Sequence, residues 1–258
     1  MLMAIDVGNT TILFGLLEGE KVLASFRQVT DPARTAEEIG QALARDLAAL
    51  GVRPEEVEAA LIASVVPPVM DALTAAVERT VGKRPLVVDV DLDPGLPYEA
   101  EERLGADRAV CCVAAVEKYG KPVIVLDFGT ATTVDAVAAD GSYLGGCILA
   151  GIRTSANALF GNTAMLPQID LILPPTVLGR DAVTQIQVGS VLGAIGSAEH
   201  LVRRTKQEMG YGEAVPVIAT GGLGQLVAEH SDCIDIVDAD LALSGLRILY
   251  DRHRTPEK

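Results

Sequence analysis

The 258-residue chain contains no tryptophan, and aromatic residues make up only 3% of it. Hydrophobic residues nevertheless account for 49% of the sequence, so we expect a core built mainly from valine, isoleucine, leucine and alanine. Such an aliphatic core is typical of largely parallel β-strands that are covered by helices. A hydrophobic content this high also argues against intrinsic disorder.

Metal-binding and disulfide motifs are lacking as well. The four cysteines are Cys111, Cys112, Cys147 and Cys233. None has CxxC spacing, which argues against a zinc site or a thioredoxin-like motif. The three histidines are isolated in the sequence and show no ligand spacing. We therefore expect free thiols in a reducing cytoplasm.

Positive charge is scarce, since 35 acidic residues outnumber 21 basic ones and give a formal net charge of −14. Nucleic-acid-binding proteins normally present a basic face, so we expect no nucleic-acid partner. No apolar run reaches the roughly 18 residues of a membrane-spanning helix, and we expect no membrane partner and a cytoplasmic location. An acidic protein can still bind an anionic substrate through backbone amides.

One sequence pattern occurs twice. MLMAIDVGNTTILFGLLEGEKVL starts at Met1, and VIVLDFGTATTVDAVAADGSYLGG starts at Val123. Each contains an apolar run, an aspartate, a glycine, small hydroxyl residues, further apolar residues and an acidic-glycine turn. Each half then continues with helices that alternate with strands. The pattern predicts two α/β domains, 1–118 and 119–258, with a cleft between them that each first hairpin faces.

Several helices follow from periodicity and capping. Thr35 and Glu38 form a capping-box pattern, and apolar residues recur at helical spacing over 39–50. Further helices are predicted over 107–119 and 241–250, and the tail after the last helix is expected to fray.

The two Asp-Gly-Thr hairpins have the parts of a phosphate site. A glycine allows close backbone approach, and neighbouring amides and hydroxyls can hold phosphate oxygens. The aspartate suits a divalent cation, often through water. An ordinary hairpin could contain one such motif, but two copies in matching positions favour a nucleotide site.

The motifs DVGNT, ASVVPP, GADR, DFGTATT, LPPTVLGR and ATGGL occur in this order over almost the whole chain. In this combination the chain resembles the type III pantothenate kinases, which belong to the superfamily of acetate kinase, sugar kinases and actin. The resemblance implies duplicated ribonuclease-H-like (actin-like ATPase) domains and a homodimer. It also implies ATP-dependent phosphorylation of pantothenate to 4'-phosphopantothenate, the first step of coenzyme A synthesis.

The resemblance further implies a set of site residues. Those for ATP are Asp6, Val7, Gly8, Asn9, Thr10, Thr11, Thr130, Thr132, Gly221 and Gly222. Those for pantothenate are Tyr98, Gly105, Ala106, Asp107, Arg108 and Ala182. Asp107 matches the general base and Arg108 the anchor of the substrate carboxylate. Asp6 would lie near Mg²⁺, directly or through water, and Asp127 matches the ligand of a monovalent cation, K⁺ or NH₄⁺.

The chemistry of an adjacent aspartate and arginine agrees with these roles. Phosphoryl transfer depends mainly on positioning and charge neutralisation. One carboxylate must accept the proton of the attacking hydroxyl, and a guanidinium can hold a carboxylate through two hydrogen bonds.

The acceptor side departs from the family pattern. Glu99, Ala100 and Glu101 replace an Asp-Asn-Pro sequence, and the approach to GADR is about two residues shorter. Ala182 replaces a threonine that contacts pantothenate across the dimer interface, and Ala150 replaces a proline. The nucleotide side is expected to be intact.

Two alternative functions follow from these departures. One is a kinase of another small hydroxy acid, which would keep the need for a carboxylate at Arg108. The other is a non-catalytic nucleotide-binding regulator of the same fold. The second is opposed by the presence of Asp6, Asp107, Arg108 and Asp127, because a protein without catalysis needs no base.

Overall fold

The computed structural model describes residues 1–89, 91–97, 104–163, 165–212 and 214–254. These residues form two compact units. Of the described residues, the first unit contains those within 1–96, 104–114 and 240–254, and the second contains Pro97 and those within 115–239.

Strands and helices alternate along the chain. The elements up to the middle of the chain are β1 (Leu2–Val7), β2 (Thr11–Glu18), β3 (Lys21–Val29), α1 (Ala36–Ala49), β4 (Ala59–Ser64), α2 (Met70–Val81), β5 (Leu86–Val87) and α3 (Ala106–Tyr119). Those that follow are β6 (Val123–Phe128), β7 (Ala131–Val137), β8 (Tyr143–Ala150), α4 (Ile152–Asn162), α5 (Ala182–Gln187), α6 (Gly193–Met209), β9 (Val217–Thr220), α7 (Gly224–Ala228), β10 (Ile236–Val237) and α8 (Leu241–Arg254). A π-helical segment, Val188–Leu192, joins α5 to α6.

Each unit contains one five-stranded mixed sheet, and the two sheets have the same topology. The strand orders are β3-β2-β1-β4-β5 and β8-β7-β6-β9-β10. In each sheet the first three strands form antiparallel pairs, while the fourth and fifth run parallel to the first. The sequence prediction of a duplicated α/β fold is therefore confirmed.

Helices α1 and α2 cover the first sheet, as their periodicity predicts. Ile39 and Leu43 of α1 and Leu73 and Val77 of α2 are all buried in the core of this unit. The capping box at the start of α1 is also present, because the Thr35 hydroxyl accepts a hydrogen bond from the Glu38 amide. The second unit has its own apolar core beneath α6.

The last helix differs most from the expectation. The sequence divides the chain into two consecutive domains, but α8 lies in the first unit and packs against β1 and β4. The contact is close, because a Cβ placed on Gly15 of β2 would lie 2.5 Å from Leu243. Helix α8 also continues to Arg254 instead of fraying after Tyr250.

Strand β1 includes Asp6 and Val7, since both pair with β2 and with β4. Strand β5, at the edge of the first sheet, has only two residues. Among the described residues, no helix combines the length and apolar character needed to cross a membrane.

Candidate functional site

Asp6 lies in β1, next to the first hairpin loop. It is paired with Leu13 on one side and with Ala63 on the other, and its Oδ1 atom is buried. Val7 is fully buried, so its side chain serves the core and only its backbone can face a ligand.

The first loop consists of residues 8–10, which join β1 to β2, and Thr11 is the first residue of β2. The Gly8 amide donates a hydrogen bond to the Thr11 carbonyl at 3.0 Å. Asn9, Thr10 and Thr11 are exposed. The loop therefore presents its polar side chains to solvent, as a ligand-binding turn requires.

The second loop is one residue shorter than the first. Residues 129 and 130 form this loop, because β6 ends at Phe128 and β7 begins at Ala131. The Gly129 amide donates to the Ala131 carbonyl at 3.0 Å. Of the two threonines that the resemblance implies for this loop, Thr130 is exposed at the tip, whereas Thr132 lies within β7 and is 8% exposed.

Asp127 precedes the second loop and has polar partners on the neighbouring strands. Its partners in the sheet are Thr133 and Thr220, where Asp6 has Leu13 and Ala63. Thr133 also donates a hydrogen bond to Asp135, which is 1% exposed. The two halves therefore share a fold but differ in chemistry beside the two aspartates.

The glycine pair after β9 has one crowded and one open member. Gly221 has a φ of +85°, and a Cβ there would lie 2.3 Å from Asp127 Oδ1 and 2.7 Å from backbone atoms of Phe128. Gly222 has no such neighbour within 4 Å. Gly221 thus lets β9 pack against Asp127, while Gly222 leaves open backbone that a flat group could approach.

Asp107 and Arg108 lie in the first turn of α3 and are both half-buried. The Arg108 amide donates to Asp107 Oδ1 at 2.7 Å, and a helix N-terminus favours a negative charge at this place. Gly105 gives this carboxylate room, because a Cβ on it would lie 2.9 Å from Asp107 Oδ1. Ala106 is buried and can offer only its backbone.

Ala182 is the first residue of α5 and is half-buried. Asp181 caps this helix by accepting hydrogen bonds from the Thr184 amide at 2.9 Å and the Thr184 hydroxyl at 2.8 Å. The hydroxyl proton of Thr184 is thus directed to Asp181. Tyr98 and the altered residues 99–101 lie outside the described residues.

Sequence reasoning missed several residues around the two loops. Thr30 and Thr154 donate hydrogen bonds to loop carbonyls, and Asp135 accepts from both Thr133 and Tyr143. Threonine is common in turns, so no local sequence pattern distinguishes Thr30 and Thr154. The repeated hairpin pattern could have drawn attention to the segment after each third strand.

Comparison with known proteins gives strong matches in sequence. The family model for type III pantothenate kinases matches residues 2–204. A type III pantothenate kinase from Moorella thermoacetica is 42% identical over 255 residues, which is 98% of this chain and 100% of the relative. One from Myxococcus xanthus is also 42% identical over 255 residues, covering 98% and 99% of the two chains.

Solved structures agree on the fold. A Campylobacter jejuni protein assigned provisionally to the Baf family of transcriptional activators has a TM-score of 0.61 at 18% identity, with 98% of both chains covered. The activator of 2-hydroxyisocaproyl-CoA dehydratase from Clostridium difficile, solved with bound ADPNP, has a TM-score of 0.52 at 11% identity, with 100% and 98% covered. At these identities the likeness concerns architecture alone.

Proposed function

The chain belongs to the type III pantothenate kinase family, and we propose that it transfers the terminal phosphoryl group of ATP to pantothenate. The product is 4'-phosphopantothenate, the first intermediate of coenzyme A synthesis. The observation that carries the proposal is the Asp107–Arg108 pair in the first turn of α3. It occurs in a chain that also has two Asp-Gly-Thr hairpins and aligns with its relatives over nearly their full length.

We propose that ATP is bound by the residues around the two loops. Gly8 allows close approach of the backbone in the first loop, while the side chains of Asn9, Thr10 and Thr11 offer an amide group and two hydroxyls to phosphate oxygens. Thr130, at the exposed tip of the second loop, likewise offers a hydroxyl. The open backbone at Gly222 is suited to the adenosine.

Asp107 is proposed as the general base and Arg108 as the anchor for the carboxylate of pantothenate. As the attacking hydroxyl bonds to phosphorus, its proton passes to the Asp107 carboxylate and ADP leaves. The Arg108 guanidinium can hold a carboxylate through two parallel hydrogen bonds. Since both residues lie in one helical turn, the helix positions the carboxylate-binding arginine and the general base together.

The residues present fit the cations that a kinase of this kind would use. Mg²⁺ takes oxygen ligands, and the buried Oδ1 of Asp6 lies beside the first loop. When bound, Mg²⁺ would neutralise part of the negative charge of the phosphates. Asp127, with Thr133 opposite it and Gly221 packed against it, offers the oxygen donors that K⁺ or NH₄⁺ needs.

A homodimer in the cytoplasm is part of the proposal. Among the described residues, most of the large apolar side chains that are exposed come from 144–183 in the second unit, including Met165 at 92% and Leu178 at 82%. Monomeric proteins seldom expose large apolar patches. Light scattering should give twice the monomer mass, and a monomeric Leu178→Asp variant would assign this segment to the interface.

A coupled assay of ADP formation with ATP, Mg²⁺, K⁺ and pantothenate tests the reaction. We expect turnover by the wild type and none by Asp107→Asn, which should still bind ATP. A wild-type protein that binds ATP and forms the dimer but shows no turnover would remove the assignment. An active Asp107→Asn variant would remove the base.

A kinase of another small hydroxy acid is the second candidate, favoured by Ala182 at the position of the family threonine. Thr184 could replace that donor only by giving up its bond to Asp181. A screen of hydroxy acids distinguishes the candidates, because a preference over pantothenate would identify the altered substrate. ATP binding without turnover on any acid would favour the regulator instead.

A further inference from the structure

The first loop is held by one residue that directly follows β3. The Thr30 hydroxyl donates to the Gly8 carbonyl at 2.7 Å, and the Thr30 amide donates to the Thr10 carbonyl at 3.0 Å. Thr30 is half-buried and lies outside every motif of the sequence. Two of the loop's carbonyl oxygens are thus engaged by a single residue.

The second loop is held in a similar way by the residues that follow β8. The Thr154 hydroxyl donates to the Thr130 carbonyl at 2.7 Å, and the Gly151 amide donates to the same oxygen at 3.0 Å. The approach is close enough to require glycine, since a Cβ on Gly151 would lie 2.3 Å from the Gly129 carbonyl oxygen.

The two arrangements coincide in chemistry but not in sequence position. Thr30 comes directly after its strand, whereas Thr154 is the third residue of α4. In both units one backbone amide and one threonine hydroxyl bind carbonyls of the loop. A shared ancestral motif would place the two threonines at the same offset, so the coincidence indicates a common physical requirement.

That requirement follows from the charge of a phosphate group. A carbonyl oxygen carries partial negative charge and repels phosphate, while an amide hydrogen attracts it. Each backbone carbonyl must also find a donor. A donor that binds the carbonyls of a loop fixes their direction, and the direction of the adjoining amides with them.

We propose that Thr30 and Thr154 are positioning residues that hold the two loops in the phosphate-binding conformation. The inference rests on the proposed function, in which these loops contact the phosphates of ATP. Neither hydroxyl needs to touch the nucleotide, because each acts through a loop carbonyl.

The test compares Thr30→Val and Thr154→Val with Thr30→Ser and Thr154→Ser, using calorimetric titration with ADP and with adenosine. Each valine variant loses one hydroxyl hydrogen bond, so we expect about five- to tenfold weaker ADP binding. Adenosine, which has no phosphate, should bind as to the wild type. The serine variants keep the hydroxyl and should restore ADP binding. In turnover, the KM for ATP should rise while that for pantothenate stays the same.

Ser197→Ala is the matched control, because it removes a hydroxyl bond of 2.8 Å to the Gly193 carbonyl on α6. It should bind ADP as the wild type does. The inference is overturned if a valine variant binds ADP as tightly as the wild type, or if its affinity for adenosine falls as much as its affinity for ADP. It is also overturned if the serine variant at the same position does not restore ADP binding. Should Thr30→Val fail to fold, the Thr154 pair decides the question. A wild type that binds no ADP removes the proposed function and this inference together.

Discussion

Substitution by alanine should affect the stability of the protein very differently at the adjacent glycines Gly221 and Gly222. Alanine at 221 places a Cβ 2.3 Å from Asp127 Oδ1 and 2.7 Å from the Phe128 backbone, and it must adopt a φ of +85°. Alanine at 222 meets nothing of the kind within 4 Å. One change therefore strains the fold, and the other alters only an open surface.

The expected magnitudes differ accordingly. A left-handed conformation costs a non-glycine residue about 1–2 kcal/mol, and the overlap with neighbouring backbone adds about 1–3 kcal/mol. Gly221→Ala should thus lower the free energy of unfolding by roughly 2–5 kcal/mol, and the melting temperature by roughly 5–15 °C. Gly222→Ala should change the free energy of unfolding by less than about 0.5 kcal/mol.

Thermal and denaturant unfolding of both variants measure the first effect, and titration with ATP measures the second. Because we propose that adenosine approaches the backbone at Gly222, that variant should bind ATP several-fold more weakly while it melts like the wild type. A Gly221→Ala protein as stable as Gly222→Ala would refute the packing argument. A Gly222→Ala protein with normal ATP affinity would refute the proposed adenosine contact.

Three further outcomes follow from the structure. Gly245→Ala should destabilise the protein by about 1–3 kcal/mol, since its Cβ would lie 2.2 Å from the Val110 carbonyl oxygen on α3; denaturant unfolding measures it. Hydrogen bonds from the Thr184 amide and hydroxyl lower the pKa of Asp181, so its cap stabilises the fold above the ordinary aspartate pKa and is lost as pH falls through the lowered value. The Asp181→Ala variant should therefore have a lower melting temperature than the wild type at neutral pH, and this difference in melting temperature should become smaller in acid. Burial raises the pKa of Tyr119 to about 12, together with a hydrogen bond to a neighbouring carboxylate and the charge of that carboxylate. The neutral tyrosine therefore contributes fully to the stability of the fold below about pH 10, and this contribution is lost as the pH rises through 12. Tyr119→Phe should reduce this alkaline loss of stability.

Each of these three predictions can be contradicted by a defined result. Gly196→Ala on α6 adds a Cβ with no neighbour within 4 Å, and equal destabilisation by both alanines would contradict the crowding at Gly245. For Asp181, a melting difference that grows in acid would reverse the assigned sign. For Tyr119, an absorbance titration should show one tyrosine fewer ionising near pH 12 in the phenylalanine variant, and an unchanged curve would contradict the shift.

Much of the fold could be predicted because its signals are local. The capping box at Thr35 and the apolar spacing from Ile39 onward specify α1 within one stretch of chain. The repeated strand-turn-strand pattern likewise predicts the same sheet twice, since alternation and turn glycines are properties of neighbouring residues. The family motifs predict which residues lie in the two loops and in the first turn of α3.

Residues that act over long distances in sequence could not be found in this way. Thr30 and Thr154 matter through carbonyls that they meet only after folding, and threonine alone has no distinctive pattern. The buried partners of Asp127 and their apolar counterparts beside Asp6 also depend on strand register.

The sequence by itself determined the duplication, the aliphatic cores and the family to which the chain belongs, because these depend on composition, periodicity and motif order. Only the tertiary structure decided that α8 returns to the first sheet, since helical periodicity marks an apolar face but not the surface that covers it. It also decided that Gly221 is crowded and Gly222 open. Two identical residues differ here because packing is set by segments distant in the chain.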